Sequence, residues 1–382
     1  MGGSGLARRA NQWLRYALFA AALAGGVVTL LPEFQSNAWW IRLLDFPRVQ
    51  ILAVLLALLV LLLALPGRFA PGNLLAALVT LVSLAWQAVV LFPYSPLSSP
   101  RMIAAAPSCP DERRLSVVAV NVQMTNENAE RLFAILRRAD PDLILLQETD
   151  AWWDVRLRAL HDQWPHAAQQ VTQNYFGMHI LSRHPLRDPQ VRHLTGSRNP
   201  SIFTGIALPS GDVVRFLGVH PRPPLPGQSS AERDGQLLAA ALAARESKAP
   251  VVMAGDFNAV PWDEVMHRTE RIGGLQAPRL GRGWLPTYRT GSTIMRWPLD
   301  HVLAGPRFTL AALETLPDFG SDHYPILAGF CLVPEAAATQ QARPLRPGDL
   351  DAARAAVAAA RNEAAPSPEP PEGNQVPERN PG

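Results

Sequence analysis

The sequence predicts an α+β protein, two packed β-sheets flanked by helices, preceded by three transmembrane helices. Three observations carry this expectation. Apolar residues crowd into uncharged runs before residue 93. Between residues 115 and 333, short apolar segments of strand length are interleaved with a few amphipathic stretches, the pattern of sheets whose outer faces are covered by helices. From residue 334 onward the chain turns to Pro and Ala, with too little apolar surface to bury.

The N-terminal runs occupy residues 16–31, 49–65 and 74–92. The second and third approach the roughly 20 residues that cross a hydrocarbon core, and the first borrows from its flanks. In the second, "VQILAVLLALLVLLLAL", Gln50 is the sole polar residue, whereas a soluble helix keeps a polar face. Arg8, Arg9 and Arg15 precede the first run and Arg68 lies between the second and third. By the positive-inside rule both flanks are cytoplasmic. Arg42 and Arg48, in the intervening segment, weaken the asymmetry. Three spans place everything after Phe92 on the far side, facing the periplasm of a bacterial inner membrane or the exterior. Cys109 and Cys331 fit no metal-binding spacing. They are either buried thiols or, in an oxidising compartment, a disulfide.

Residues 93–112, rich in Pro, Ser and Ala, read as a linker. The folded region spans 113–333. It opens with the strand "LSVVAVNV", a helix over "NENAERLFAILRRADPD" capped by Asn126 or Asn128, and the strand "DLILLQE". "GMHILSR", "SIFTGIAL" and "DVVRFLGVH" are further strands, followed by an amphipathic helix in "SAERDGQLLAAALAARES". "APVVMAGDFNA", "PLDHVLAG", "FTLAALETL" and "HYPILAGFCLV" complete the set. Residues 334–382 are expected to be a disordered tail, with at most a transient helix in "DLDAARAAVAAARNEAA". Acidic and basic side chains nearly balance over 110–335 and the whole chain carries a net charge of +3, which leaves no basic field for a long polyanion.

Six strand edges end in a polar residue. Asn121, Glu148, His220 and the pair Asp256 and Asn258 close four strands; Asp300 opens another, and Asp322 and His323 precede the last. A turn cap or a solvated loop explains any one of them. Together they point to convergence at one end of a rigid scaffold, where loops build sites.

The segments "VVAVNVQ", "PDLILLQE", "GMHILSR", "LGVHPRP", "GDFNAVP", "PLDHVLA" and "GSDHYPI" resemble the endonuclease/exonuclease/phosphatase superfamily, in the family's order. The resemblance covers just over half of the chain and none of the apolar N-terminal part, and the spans ahead of it suggest a membrane-anchored bacterial branch. It implies a four-layer α/β/β/α sandwich of the DNase I-like type. It also implies cleavage of phosphate esters with a divalent cation, Mg²⁺ or alternatively Mn²⁺. Glu148 matches the family's metal-binding Glu, with Asn121 beside metal and phosphate and Asp322 nearby. His323 and Asp300 match a His–Asp pair, the carboxylate fixing the imidazole tautomer. Asp256 matches the carboxylate that activates the nucleophile or protonates the leaving group, and Asn258 the residue that orients it. Either Asp256 or His323 can serve as the base. His220 sits where members use Tyr or His against the phosphate. Gly255, without a Cβ, would let backbone and substrate approach closely.

Arg183 and Arg198 are candidate phosphate contacts, for which surface ion pairs are an equal explanation. Trp284, Tyr288 and Trp297 fall between "GDFN" and "LDH" and either floor a pocket or pack in the core. The expected partners are a phosphate-ester substrate and, through residues 16–92, the lipid bilayer. Within this reading a lipid or small-molecule phosphoesterase competes with a nuclease. A noncatalytic binding module of the same fold is the alternative from another class, opposed by the complete polar set.

Overall fold

The computed structural model describes residues 3–64, 68–196 and 198–363. Four helices come first: α1 (Gly3–Leu30), α2 (Trp39–Arg42), α3 (Arg48–Ala64) and α4 (Pro71–Leu91). Two segments, Arg9–Glu33 and Pro71–Tyr94, are long and apolar enough to cross a membrane. The third expected span differs from the sequence reading. It is a pair of helical pieces, Trp39–Asp45 and Arg48–Ala64, bent by 71°. At 17 residues α3 is ~26 Å long, just short of a ~30 Å hydrocarbon core. Leu65, the last residue of the predicted run, lies outside the described residues. Leu58 and Leu62 of α3 pack against Ala22 and Ala76 of its neighbours, while Val54, Leu56, Val60 and Leu61 are exposed.

Eleven strands follow among the described residues: β1 (Arg114–Asn121), β2 (Leu143–Gln147), β3 (His166–Gln170), β4 (Met178–Ser182), β5 (Leu186–Arg192), β6 (Ser201–Ala207), β7 (Val213–Val219), β8 (Val251–Asp256), β9 (Asp300–Ala304), β10 (Phe308–Thr315) and β11 (Ile326–Leu332). One sheet has the order β10-β11-β1-β2-β4-β3 and the other β5-β6-β7-β8-β9. The helices are α5 (Ala129–Ala139), α6 (Ala151–Leu157), α7 (Ala231–Glu246), α8 (Glu264–Gly273) and α9 (Asp349–Glu363).

Alternation along each strand builds the layers. In β1, Val117 and Ala119 point between the sheets, with Leu145, Ile180, Phe216 and Val252. Val118 and Val120 point the other way, under Leu132, Phe133 and Leu136 of α5 and Trp153 of α6. In the second sheet Leu217, Val219 and Met253 face outward beneath Leu237, Leu238 and Ala241 of α7 and Met266 of α8. The period of two thus gives helices, sheet, sheet and helices in sequence, an α+β sandwich as the strand pattern predicted.

Two expectations about flexible segments are corrected. The tail does not begin at 334: residues 349–363 form α9, with Ala353, Val357 and Ala360 buried. Small residues permit the contact, since a Cβ on Gly235 of α7 would stand 2.4 Å from that of Ala360. Residues 364–382 lie outside the described residues. The 93–112 linker is partly fixed as well. Tyr94 and Met102 are buried, Ala105 donates to Leu310 O at 2.7 Å, and Cys109 is disulfide-bonded to Cys331 across 222 residues of sequence.

Register gathers the polar strand ends. β1 and β2 run parallel with Asn121 opposite Gln147, so Asn121 and Glu148 emerge at the same edge. β7 and β8 are also parallel, which brings out His220 and Asp256 together. β9 runs back with Asp300 opposite Asp256, and Ile326 at the start of β11 pairs with Ala119, placing the 321–325 loop beside Asn121.

Candidate active site

Two carboxylates directly opposite across an antiparallel pair repel each other. Asp256 and Asp300 are so placed, both buried, and His323 lies between them. Its Nδ1 is 2.8 Å from Asp300 Oδ2 and its Nε2 is 3.6 Å from Asp256 Oδ2. The first contact assigns the Nδ1 proton to the Asp300 side and turns Nε2 toward Asp256 and the cleft. His220 Nε2 stands 3.8 Å from the same Asp256 oxygen. Asn121 Nδ2 donates both to Asp256 Oδ2 at 3.2 Å and to Glu148 Oε1 at 2.8 Å, linking the two sheets' contributions.

The backbone pays a local strain for these positions. Glu148 (φ 62°) and Asn258 (φ 49°) are left-handed, a conformation uncommon away from Gly and Asn and often found at functional sites. Gly255 has φ 145°, and a Cβ there would lie 2.1 Å from Val219 O and 2.9 Å from Gln147 Nε2. Its small size therefore serves the approach of β7 and Gln147, where the sequence suggested approach of substrate. Asn258 also differs in detail. Its backbone N–H, at 2.9 Å, orients Asp256 Oδ1, while its side-chain amide donates to Pro221 O at 3.0 Å.

Burial raises Asp256 to about 7 against the pull of His323, with Asp300 adding to the rise. Burial opposes protonation of His323, yet Asp300 and Asp256 outweigh it and lift the ring to about 10. At neutral pH His323 is therefore an imidazolium. Burial, with the charge of His323, depresses His220 to about 3, so His220 is neutral. Burial also raises Glu148, against hydrogen bonding from Asn121 and the charge of His323.

Four carboxyl groups, Asp256 and Asp300 buried and Glu148 and Asp322 half-buried, thus gather around one imidazole ring, a surplus of oxygen donors that suits a divalent cation. Asp256, Asp300 and His323 come close enough for one atom of each to share an ion. The Nδ1 contact to Asp300, however, commits that ring edge. The carboxylates of Glu148 and Asp322, with Asp256 beside them, are hard oxygen donors of the kind Mg²⁺ or Mn²⁺ takes, while Asn121 turns its Nδ2 toward Glu148 and Asp256 and its Oδ1 accepts from Gln123 N at 2.9 Å.

These groups open into a cleft of about 730 Å³ lined by Glu148, His220, Asp256, Asn258, Asp322 and His323 on one side. Arg183 and Arg198 do not join them. β4 is antiparallel to β2, with Met178 at the Gln147 end and Ser182 at the Leu143 end. Arg183 therefore sits at the opposite edge of the sheet, paired with Asp140. Arg198 is exposed in the loop before β6 and does not line the cleft.

Several positioning residues escaped the sequence reading. Gln147 accepts from Asp256 N at 2.7 Å and donates to Val219 O at 3.1 Å, bolting the ends of β2, β7 and β8 together. Ser321 donates to Asn121 O at 2.8 Å. Thr287 Oγ1 accepts from the Asp300 backbone N–H at 3.0 Å. Gln147 carried a signal, a polar residue inside an otherwise apolar strand; Ser321 and Thr287 carried none.

A model of the endonuclease/exonuclease/phosphatase family matches residues 118–323, more than half of the chain. The chain belongs to that family. Its members are generally divalent-metal-dependent hydrolases of phosphoester bonds, and the region matched contains every residue of the polar set. The chain is similar to several solved structures. A Danio rerio TDP2 humanised by 14 mutations is 18% identical, with a TM-score of 0.50 over 57% of this chain and 99% of that one. D. rerio TDP2 complexed with a single-strand DNA product is 19% identical, with a TM-score of 0.49 over 57% and 98%. An endonuclease/exonuclease/phosphatase from Beutenbergia cavernae is 19% identical, with a TM-score of 0.46 over 58% and 72%. No curated protein matches the chain.

Proposed function

We propose that the chain is a membrane-tethered, Mg²⁺-dependent phosphoesterase that hydrolyses phosphate diesters, or monoesters, on the extracytoplasmic side. The observation that carries this reading is the Asp300–His323–Asp256 series set beside Glu148 and Asn121 in one cleft. Glu148 and Asp322, with Asn121 beside them, would hold the cation, which would supply charge stabilisation to the phosphate and the departing oxygen. Asp256, held by Asn121 and by the Asn258 N–H, takes the proton of the attacking water; a value near 7 suits a general base at neutral pH. His323, protonated and fixed by Asp300, donates from Nε2 to a nonbridging phosphate oxygen. His220, neutral and buried, lines the same wall and positions the phosphate.

Anchoring and orientation draw on the contacts between anchor and domain. The segment between the first two apolar helices docks on the catalytic domain, with Ser230 N donating to Asn37 O at 2.9 Å and Trp262 Nε1 to Asp45 O at 2.6 Å. The residue after the third does the same, Tyr94 Oη donating to Pro261 O at 2.6 Å. Both segments then lie on one side of a bilayer, as a three-span topology requires. Arg42 pairs with Asp45 and Asp263, and Arg48 with Asp45 and Glu33. These two arginines are therefore held within the fold by ion pairs.

A nuclease is the second reading, favoured by the stacked rings of Tyr288 and Trp297, 6.0 Å apart, with Tyr288 4.8 Å from His323. Such rings can stack bases. Against it, Arg222 is the one Arg or Lys among the described residues that line the cleft, too little charge to track a polyanion.

The test is hydrolysis of a chromogenic phosphodiester and a phosphomonoester by the full-length protein with Mg²⁺, Mn²⁺ or chelator. Turnover should need the metal and fall by about a hundredfold or more in Asp256→Ala and His323→Ala. Turnover indifferent to chelator, or to both substitutions, contradicts the mechanism. Protease added to intact spheroplasts should cleave the domain; protection until the membrane is lysed would reverse the orientation.

A further inference from the structure

Resting on that reading, we infer that the substrate is a phosphate ester carried by a membrane lipid, whose hydrocarbon chain leaves the active-site cleft along a wall built by the anchor. Beside the catalytic groups the cleft is lined largely by apolar side chains, among them Leu43, Phe46 and Pro47. These residues immediately precede Arg48, where α3 begins. The catalytic cleft is thus continuous with the point at which the chain enters its apolar helix.

A line of rings joins the two ends. Phe46 meets Trp297 edge to face at 5.8 Å. Trp297 stacks on Tyr288, and Tyr288 lies against His323. Gln50, in the first turn of α3, donates to Ile294 O at 2.6 Å. This holds Ile294 and Met295 beside the helix entry, 70% and 45% exposed, and Leu225, which like Met295 lines the cleft, is 46% exposed. Apolar side chains left in water around a catalytic cleft mark a surface that meets another apolar phase. A phosphate held by His323 with a chain lying over Phe46, Met295 and Leu225 covers both the polar and the apolar lining of the cleft. A free sugar phosphate would leave the apolar lining wet.

The reaction balances as a hydrolysis. The water oxygen bonds to phosphorus and one ester P–O bond breaks; Asp256 takes the water proton and gives it up to solvent, and the leaving oxygen takes its proton from solvent. One product keeps the hydrocarbon chain and stays in the bilayer; the other is released to water.

The experiment uses full-length protein in phosphatidylcholine vesicles doped with phosphatidylglycerol, phosphatidylethanolamine or phosphatidic acid, with Mg²⁺. Products are read by mass spectrometry, beside bis(p-nitrophenyl) phosphate and the deacylated headgroup esters in solution. At least one lipid should be cleaved with kcat/KM about tenfold or more above its deacylated counterpart. Leu225→Ser and Met295→Ser should each lower the ratio of lipid to soluble-diester kcat/KM by about tenfold. If Leu225→Ser does not fold, Met295→Ser, on an exposed loop, carries the comparison. Metal-dependent cleavage of the soluble diester without cleavage of any lipid, or with an unaltered ratio in both variants, overturns the lipid assignment while the phosphoesterase reading stands. Absence of metal-dependent turnover on every substrate overturns both.

Discussion

Asp300→Asn isolates the charge that governs His323. The amide keeps the shape of the carboxylate and an oxygen able to accept from Nδ1, 2.8 Å away in the native chain. What it loses is the negative charge that, with Asp256, lifts His323 to about 10 against burial. A unit charge ~4 Å from the ring is worth ~4 kcal/mol at an effective dielectric of ~20, or about three decades of proton affinity. His323 in Asp300→Asn therefore titrates in the neutral range. Because the mechanism needs the imidazolium, the alkaline limb of kcat/KM on a chromogenic diester should move to lower pH by about two to three units. Activity above neutrality should fall about a hundredfold. The linkage has the same sign. A ring raised from 6.5 to about 10 stabilises the fold fully below 6.5 and loses that contribution as pH rises toward 10. In the variant the loss comes at lower pH. The measurement is a pH–rate profile at saturating Mg²⁺ with a parallel melting series. An alkaline limb that stays in place refutes the reasoning. So does a shift confined to the acid limb, which would make neutral His323 the base.

Three further outcomes follow from other parts of the structure. Glu148→Gln should raise the Mg²⁺ concentration for half-maximal activity by at least about tenfold, since even partners of metal ligands cost that much, and a metal titration reads it. Gly255→Ala, which brings a Cβ to 2.1 Å from Val219 O at φ 145°, should destabilise the fold by about 2 kcal/mol or more, seen in denaturant unfolding. Cys331→Ser opens the link to Cys109 and should lower stability by about 2–5 kcal/mol, measured against the oxidised protein by thermal melting.

Strand periodicity and polar strand ends made the sandwich and its catalytic edge legible, because both are written within single segments. Asp256 and Asp300 each announce themselves after or before an apolar run, and register alone makes them face each other. What stayed hidden depends on contacts between distant segments. Arg183 ends the family-like "GMHILSR", yet antiparallel pairing of β4 carries it to the wrong edge. The Ala-rich 349–363 segment looks too weak to fold until the small residues of α7 meet it. Pro47 marks the bend between residues 45 and 48 locally, but the docking of the 32–48 segment follows from contacts such as the buried Arg42–Asp263 pair that no local pattern reveals. The apolar lining of the cleft has the same origin, since Phe46 and Trp297 are 251 residues apart and meet only in the fold.

Single-turnover hydrolysis of the soluble diester in heavy-oxygen water tests the central claim most directly. With Mg²⁺, the wild-type protein should place the label in the phosphate product and leave the alcohol unlabelled, and chelator should stop the reaction. Label in the alcohol, label trapped in the Asp256 carboxylate, or turnover that persists without metal would contradict it.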